Sequence, residues 1–262
     1  MNGFHGYYVK CQGEQDTVAV IFGWAQEGRF VQIITEEHSF YFDYNDNCSL
    51  DEDGLVLDLE GVTGDVRFGP FTKIKGDIMG PFRWLPFMEC RHMIISMAHK
   101  ISGHIKIGDK TYNFDNGVGY IEGDRGKGFP RKYFWTQAHF GDTSIFAATA
   151  IIPYLGIRFL GTICVVMLNG REYRLATYRG ARVKKFDSDG LVIKQGRLKL
   201  VIDVLDQENS RPLLAPARGK MTRTIHESIK RKIRYQFTRG DETLLDEISE
   251  RAAYEFSDLS GR

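Results

Sequence analysis

The sequence predicts an all-β protein built from antiparallel strands. Three observations lead to this prediction: tight-turn dipeptides recur along the chain, short strand-like runs lie between them, and aromatic residues make up 13% of the composition. Asn-Gly and Asp-Gly pairs tolerate the positive φ angles of hairpin turns. They begin at Asp53, Asn116, Asn169 and Asp189. Because no alternation of strand and helix patterns accompanies them, a barrel or sandwich is favoured over a parallel sheet.

Strand-like runs fill the chain in order. The first half contains "TVAVIFGW", "RFVQIITEE", "SFYFDY", "GLVLDLEG", "VTGDVRFG", "HKISGHIKI" and "TYNFDNGVGYIE". The second half contains "RKYFWTQAHF", "EYRLATYRGARVKKF", "GLVIKQGRLKLVIDVL" and "TIHESIKRKIRYQF", with "VVMLNGREYRLATY" as the clearest hairpin. A chain of 262 residues is long enough for two small domains. We therefore predict two tandem barrel-like halves, an N-terminal β domain over 1–124 and a C-terminal one over 125–262.

The end of the chain predicts one α-helix. In "GDETLLDEISERAAYEF" the apolar residues recur at helical spacing, and Asp241 is suited to the N-cap position. The stripe consists of Leu244, Leu245, Ile248, Ala252 and Phe256. We expect this helix to cover a barrel end or a sheet edge.

Composition and charge exclude several classes of protein. The formal net charge is +1, so binding mainly to nucleic acid is not expected. The basic cluster at 230–239 divides between two strand faces, and its outer cations fit a solvated face. The four cysteines show no C-x-x-C spacing, and no signal peptide is visible, so a reduced, cytoplasmic protein is predicted. The apolar run at 146–168 contains a proline, an arginine and two glycines, which indicates two buried strands and a bend instead of a membrane span.

One long connection differs from its neighbours. The segment 69–90 contains three of the seven prolines and repeats the sequence "GPF". We interpret it as an aromatic loop that either forms a lid or packs as an ordered connection on the core.

The stretch "GYIEGDRGKGFPRKYFWTQAHF", residues 119–140, carries the densest set of candidate functional residues. It lacks the order of a phosphate-binding loop, and a strand pattern follows its glycines. Strand alternation divides its second half into a mostly apolar face and a face of aromatic and polar residues. The latter suits the wall of a pocket for an organic ligand, or alternatively a solvent face. It consists of Arg131, Tyr133, Trp135, Gln137 and His139.

Two carboxyl groups precede that strand. Glu122 and Asp124 share a face with Tyr120. If Glu122 points inward, desolvation makes it a usable proton donor. The alternative is a surface carboxylate paired with Arg125 or Arg131.

Other segments offer weaker candidates. "MECRHMIISMAHKISGH", residues 88–104, gathers Arg91, His92 and His99 without a regular metal-binding spacing, and His99 also suits a hydrogen-bonded core position. Glu227 and Arg231 lie four residues apart on the apolar side of a predicted strand, either as a structural ion pair or as part of a pocket. We predict neither a metal site nor a cofactor.

The same stretch resembles the signature of tocopherol cyclase and its bacterial relatives, in which a glycine-rich turn precedes F-P-x-K, an aromatic-F-W run and a glutamine. The matching positions are Glu122, Gly126, Gly128, Phe129, Pro130, Lys132, Phe134, Trp135 and Gln137. "YYVKCQGEQDTVAVIFG" resembles the opening strand pair of that family, and "LAPARGKMTRTIHES" resembles its closing barrel segment. The likeness extends from about residue 7 to residue 238.

The resemblance implies a lipocalin-like architecture and a reaction without a cofactor. A prenyl double bond is protonated, and a neighbouring phenol oxygen captures the cation to form a chromanol. That chemistry needs an acid, aromatic faces and a proton acceptor. Glu122 or Asp124 is the candidate acid, and His139 or His99 is the candidate acceptor. The candidate ligand-binding residues are Trp135, Tyr133, Trp84, Gln137, Arg131, Tyr120, Arg91 and Glu227.

One departure from the family pattern concerns the substrate. Asp124 and Arg125 stand where the plant pattern has Asn-Trp. We expect a hydrophobic prenylated or polyene ligand, collected by transient contact with a membrane surface. The alternatives are a non-catalytic carrier of a lipophilic molecule and, with less support, an anion- or polysaccharide-binding module that uses Arg91, Arg125 and Arg131.

Overall fold

The computed structural model describes residues 3–44, 46–86, 88–206 and 210–259, which form twenty β-strands and two short 3-10 helices. The first ten strands are β1 Phe4–Gln12, β2 Thr17–Ala25, β3 Gly28–Ile34, β4 Ser39–Asp43, β5 Ser49–Leu50, β6 Gly54–Leu59, β7 Val62–Phe68, β8 Cys90–Ile107, β9 Lys110–Asn113 and β10 Gly117–Gly126. The next ten are β11 Lys132–Phe140, β12 Thr143–Tyr154, β13 Ile157–Leu168, β14 Arg171–Ala176, β15 Arg182–Asp187, β16 Gly190–Gln195, β17 Leu198–Val204, β18 Arg211–Ala217, β19 Lys220–Arg239 and β20 Glu242–Asp258. The 3-10 helices are Gly80–Trp84 and Thr177–Arg179.

The strands form two antiparallel sheets with the same internal order. The first sheet runs β4-β3-β2-β1-β10-β8-β7-β6-β5, with β9 added beside β8. The second runs β14-β13-β12-β11-β20-β19-β17-β16-β15, with β18 added beside β19. The prediction of an all-β antiparallel fold is confirmed. One sheet ends at Gly126 and the next begins at Lys132, whereas the division into two independent domains at 124/125 stays a prediction.

The barrel part of the prediction needs correction. Among the described residues, each sheet has two free ends, at β4 and β5 in the first and at β14 and β15 in the second, and no ladder closes either sheet. Each sheet instead curls around a core of its own. In the first sheet Val31 and Ile33 from one end share a buried cluster with Leu55 and Leu57 from the other. Apolar packing across the curl therefore brings the ends together without a closing ladder.

A third core lies between the two sheets and positions the site. It combines Tyr8 of the first sheet with Tyr133 and Trp135 of the second. Strand alternation sends neighbouring residues of β11 to different cores, because Phe134 and Ala138 pack inside the second sheet. The aromatic and polar face predicted for this strand thus faces the first sheet.

The predicted C-terminal helix is wrong, since residues 242–258 form strand β20. This strand pairs with β19 on one side and with β11 on the other. Both of its faces are buried over Ala252–Glu255: Ala252 and Tyr254 face the second sheet's core, and Ala253 faces the core between the sheets. A strand buried on both faces lacks the period-2 alternation that would identify it, and long-range pairing overrode the local helical spacing.

The connection between β7 and β8 is anchored to the second sheet. Buried Arg174 of β14 donates hydrogen bonds to the carbonyls of Asp77 and Lys75, each at 2.8 Å, and forms an ion pair with Glu172 at 2.8 Å. Ile78 and Met79 of this connection are buried in the core between the sheets. Its described residues thus form an ordered connection that bridges the two sheets.

The apolar run at 146–168 forms most of β12 and β13, which are joined at Leu155-Gly156, as the sequence indicates. Among the described residues, none of the helices has the length and apolar character needed to cross a membrane.

Candidate active site between the two sheets

A cavity of about 200 Å³ lies between the sheets and opens to solvent. Strands of both sheets and the β7–β8 connection contribute to its wall, which is predominantly apolar. Ligand pockets for drug-sized molecules usually have volumes of roughly 300–1,000 Å³. The cavity therefore accommodates a small ring system, and a longer apolar chain has to extend through its open side. The ionisable groups that line the cavity are Glu89, His92, Glu122, Asp124, Glu227 and Glu255, together with Tyr7, Tyr8, Cys90 and Tyr133.

Glu122 is buried and links the sheets through hydrogen bonds. It lies on β10, where its Oε2 atom accepts a hydrogen bond from the Tyr120 hydroxyl at an O–O distance of 2.5 Å. The indole Nε1–H of Trp135 on β11 donates to the same Oε2 atom at 3.1 Å. Nε2 of His92 lies 3.4 Å away from that oxygen. Since donors surround this oxygen, Glu122 is placed as an acceptor within the site.

His92 lies between two carboxylates. Its Nδ1 atom is 3.0 Å from Oδ1 of Asp124, and its Nε2 atom faces Glu122. Its ring stacks on Phe146 with 4.7 Å between centroids. Burial opposes the charged form of His92, but Asp124 and Glu122 together outweigh it and raise the pKa to about 10.

The group His92, Glu122 and Asp124 also has the residue types of a metal site, with its ligand atoms within 4.8 Å of one another. The two ring nitrogens point to different carboxylates, however, and a single ion binds only one nitrogen of a ring. With a proton on each nitrogen, Nδ1 donates a hydrogen bond to Asp124, and the positively charged ring also lies 3.4 Å from Glu122 through Nε2. The geometry therefore fits a carboxylate–imidazolium–carboxylate array better than a metal centre.

A second pair of carboxyl groups faces the cavity from the other side. Glu227 of β19 and Glu255 of β20 are direct partners across the two strands, and both are buried. Burial raises the pKa of Glu255 to about 8, an effect only partly offset by the hydrogen bond that Tyr133 donates to Oε1. Burial and the neighbouring Glu255 place the pKa of Glu227 well above its ordinary value. Near neutral pH this pair therefore holds carboxylic acid protons against an apolar cavity.

Polar atoms beside this pair are available to a ligand. Tyr8 lies next to Glu227. The pKa of the Tyr8 phenol is raised, mainly by burial and in addition by the Glu227 carboxyl group. Within the described part of the chain, neither the Tyr8 hydroxyl nor Oε1 of Glu227 has a hydrogen-bond partner of regular geometry. Buried polar atoms without partners are costly, and at a cavity wall they mark positions that a bound molecule can satisfy.

Comparisons with known proteins identify the family. The model of the family described as Tocopherol cyclase-like matches residues 62–257. The chain belongs to this family. A comparison with curated proteins found no match.

Solved structures that are similar to this chain in fold include three at 10% identity. CghA with Sch210972 is 10% identical, with a TM-score of 0.68 over 100% of this chain and 90% of that one. Kievitone hydratase from Nectria haematococca is 10% identical, with a TM-score of 0.59 over 99% and 90%. A putative AttH from Nitrosomonas europaea is 10% identical, with a TM-score of 0.54 over 97% and 92%. At these identities the likeness concerns the fold alone.

The structure brings five of the candidate residues to the cavity wall of the Tocopherol cyclase-like protein: Glu122, Asp124, Tyr133, Trp135 and Glu227. Tyr120 supports Glu122 without lining the cavity. The expected pairing of Glu227 with Arg231 is wrong, because irregular register in β19 turns Arg231 to Asp206, with 3.3 Å between Nη1 and Oδ1.

Two of the predicted residues belong to another buried polar cluster. Lys10 is fully buried and donates to Oε1 of Gln137 at 3.2 Å, and the Gln137 amide nitrogen lies 3.0 Å from Nε2 of His139. Burial and the Lys10 charge lower the pKa of His139 well below its ordinary value. This cluster belongs to the core between the sheets and lies outside the cavity wall.

The remaining candidates also lie outside the cavity wall. His99 contacts Ser96 at 3.0 Å and Phe68, and burial lowers its pKa to about 4. Arg131 and Arg91 donate to the backbone carbonyls of Leu259 and Leu85, and Trp84 is 74% exposed.

Sequence reasoning missed three residues of the cavity. Glu255 was hidden by the helix prediction. In a strand it shares a face with Ala253, which packs in the core between the sheets, and it lies directly opposite Glu227. His92 was named within the 88–104 segment, but the irregular spacing of that segment gave it no role in a site. Tyr8 stands in the "YYVK" run, whose alternation alone does not reveal which tyrosine faces the second sheet.

Proposed function

We propose that this protein binds a lipophilic prenylated or polyene molecule between its sheets and catalyses a proton-initiated ring closure to a chromanol-type product. The observation that carries the proposal is the buried carboxyl pair Glu227 and Glu255, whose raised pKa values keep protons available beside an apolar, aromatic-walled cavity. Membership in the Tocopherol cyclase-like family supports the reaction class.

The Glu227–Glu255 pair supplies the proton. A carboxyl group transfers its proton to one carbon of the prenyl double bond, and the π electrons form the new C–H bond, which leaves a tertiary cation on the other carbon. The carboxylate formed at this step remains hydrogen-bonded to Tyr133 if Glu255 is the donor. The sequence favoured Glu122 or Asp124 as the acid, but the donors around Glu122 suit it better to the acceptor role.

Aromatic faces stabilise the cation. The rings of Tyr8 and Trp135 meet edge to face with 5.3 Å between centroids, and both line the cavity together with Tyr133. A ring face attracts a cation by about 0.5–2 kcal/mol, more when water is excluded. The aromatic wall therefore suits a carbocation more than a neutral alkene, which is the differential binding that catalysis requires.

The array of Glu122, His92 and Asp124 completes the step. A lone pair of the substrate's phenol oxygen attacks the tertiary carbon and forms the C–O bond, and the phenol releases its proton. The carboxylate of Glu122, a residue of the cavity wall, takes this proton, while His92 keeps the two carboxylates in place. No net proton is consumed, so the product is an isomer of the substrate.

Capture of the same cation by water would instead give a hydrated product, and one of the solved structures that share the fold is named a hydratase. The two outcomes differ in mass by one water molecule. The cavity wall is predominantly apolar and offers few groups to hold a water molecule, which supports capture by the tethered phenol.

The test is incubation of the purified protein with a series of prenylated hydroquinones and phenols in D₂O, followed by mass spectrometry. The proposal predicts a ring-closed product that carries one deuterium on carbon. The Glu255→Gln and Glu227→Gln proteins should form it at rates lower by at least about 100-fold. Tight binding without product over long incubation would replace the cyclase with a carrier. If the protein neither binds these compounds nor forms a product, the site itself is refuted.

A further inference from the structure

The hairpin of β12 and β13 projects beyond its sheet. Pairing of β12 with β11 ends at Ala150, and pairing of β13 with β14 begins only at Ile163. Residues 151–162 therefore pair with each other and with no other described strand. Apart from Gly156, Arg158, Gly161 and Thr162, this extension is entirely apolar or aromatic, although much of it faces solvent.

The turn of this hairpin is unusual for its sequence. Leu155 and Gly156 have φ angles of 46° and 85°, the same left-handed geometry as Asn169 and Gly170 at 49° and 71° in the next hairpin. Asn-Gly is the favoured pair for such a turn, whereas a leucine with positive φ is strained. Leu155 is nevertheless 73% exposed. A bulky apolar residue that is both strained and exposed contributes little to the fold, which points to a contact with another molecule.

Exposed apolar side chains of two neighbouring segments form what we call the tip surface: Trp84, Leu155, Ile157 and Leu160. Trp84 ends the 3-10 helix of the β7–β8 connection, and the two segments meet where the rings of Phe82 and Phe159 lie 6.0 Å apart. Phe82 and Ile152 also line the cavity. The tip surface thus continues directly from the cavity wall.

The two segments that form the tip surface carry charge of one sign. The sequence contains no acidic residue between Ile78 and Pro86 or between Thr143 and Leu168, and the charged residues of these segments are Arg83 and Arg158. The guanidinium of Arg83 lies 4.2 Å from the centroid of the Trp84 ring. Tryptophan and arginine together suit an interface with an apolar interior and anionic headgroups.

We propose that the tip surface docks this protein on an anionic phospholipid bilayer, with Leu155 and Ile157 inserted among the acyl chains and Arg83 and Arg158 at the headgroup phosphates. The two arginines favour this occupant over a second copy of the same surface, because like charges on two identical surfaces oppose each other. Entry of the ligand from the bilayer into the cavity rests on the proposed function, whereas docking itself does not.

The test uses the full chain and sucrose-loaded vesicles of phosphatidylcholine alone or mixed with phosphatidylglycerol. The wild type should co-sediment with the mixed vesicles, less so at high salt, and its tryptophan emission should shift to the blue through Trp84, a shift that Trp84→Phe removes. Leu155→Asn combined with Ile157→Thr should weaken vesicle binding by about tenfold or more. The matched control is Ile248→Thr, an exposed apolar residue of β20, which should bind like the wild type.

A second measurement separates docking from folding. Leu155→Asn alone creates the favoured Asn-Gly turn, so its melting temperature should equal or exceed that of the wild type while its vesicle binding falls. The proposal would be overturned if the wild type did not bind the mixed vesicles, or if the double variant bound them with the same affinity as the wild type. A dimer in sedimentation velocity that the double variant dissociates would assign the tip surface to a second copy instead.

Discussion

Replacement of Glu255 by glutamine tests the buried acid pair without reference to any ligand. Glutamine keeps the size of the side chain and an oxygen that can accept the Tyr133 hydroxyl. It removes the one ionisation that burial opposes at this position. The change should therefore alter how stability depends on pH more than it alters stability at low pH.

The magnitude follows from the pKa. The carboxyl of Glu255 has a pKa of about 8 in the folded protein against an ordinary value of 4.5. Between these values the native state holds a proton that the unfolded state has lost, so the free energy of unfolding decreases as pH rises. At about 1.4 kcal/mol per pH unit, Glu255 removes about 5 kcal/mol of stability between pH 4.5 and pH 8. This loss is absent from Glu255→Gln.

The assay is urea unfolding of the wild type and the variant at intervals from pH 5 to pH 9. The difference between the two curves reports the Glu227–Glu255 pair, because Glu255 also raises the pKa of Glu227, whereas His92 and Lys10 titrate in both proteins. Glu247→Gln, an exposed change on the same strand, serves as control and should run parallel to the wild type. Parallel curves for Glu255→Gln as well would refute the assignment of a buried, protonated carboxyl group.

Three further substitutions test other parts of the site and its frame. Glu122→Gln should lower turnover by at least about 100-fold while the protein still folds, and full turnover would remove Glu122 from the mechanism. Trp135→Phe removes the indole donor 3.1 Å from Glu122 and should cost about 1–3 kcal/mol in urea unfolding, while ligand affinity falls less than in Trp135→Ala. Arg174→Met leaves buried Glu172 without its ion pair and should destabilise by about 3–5 kcal/mol, whereas exposed Arg171→Met should change stability little.

Strand alternation predicted much of the site. It placed Tyr133 and Trp135 on one face of β11 and Glu122 and Asp124 on one face of β10, and all four line the cavity. This success has a physical basis, because a period of two is unambiguous where one face of a strand packs inside its own sheet and the other packs against a second sheet.

The sequence pattern could not predict which distant strands pair with each other. The pairing of Glu227 with Glu255 depends on strands whose register is irregular, and β20 is buried on both faces over four residues. Local spacing in that segment matches a helix, so the second carboxyl group remained hidden. Similarly, alternation along β19 predicts one face for Glu227 and Arg231, but the irregular register separates them.

Strand alternation also could not predict which polar residues of the two sheets come into contact. Gln137 and His139 share a strand face with Trp135, yet they lie with Lys10 away from the cavity, whereas Trp135 reaches Glu122. The contacts of these side chains depend on how the two sheets are placed against each other. That placement is set by the packing of the core between the sheets.

The pH dependence of turnover tests the central claim most directly, namely that the Glu227–Glu255 pair donates the proton. For ring closure of a prenylated phenol, kcat/KM should stay constant below neutral pH and fall as pH rises through about 8, where Glu255 loses its proton. Glu255→Gln should remove most of the activity together with this decline. A rate that increases through pH 8, or a decline that persists unchanged in Glu255→Gln, would contradict the account.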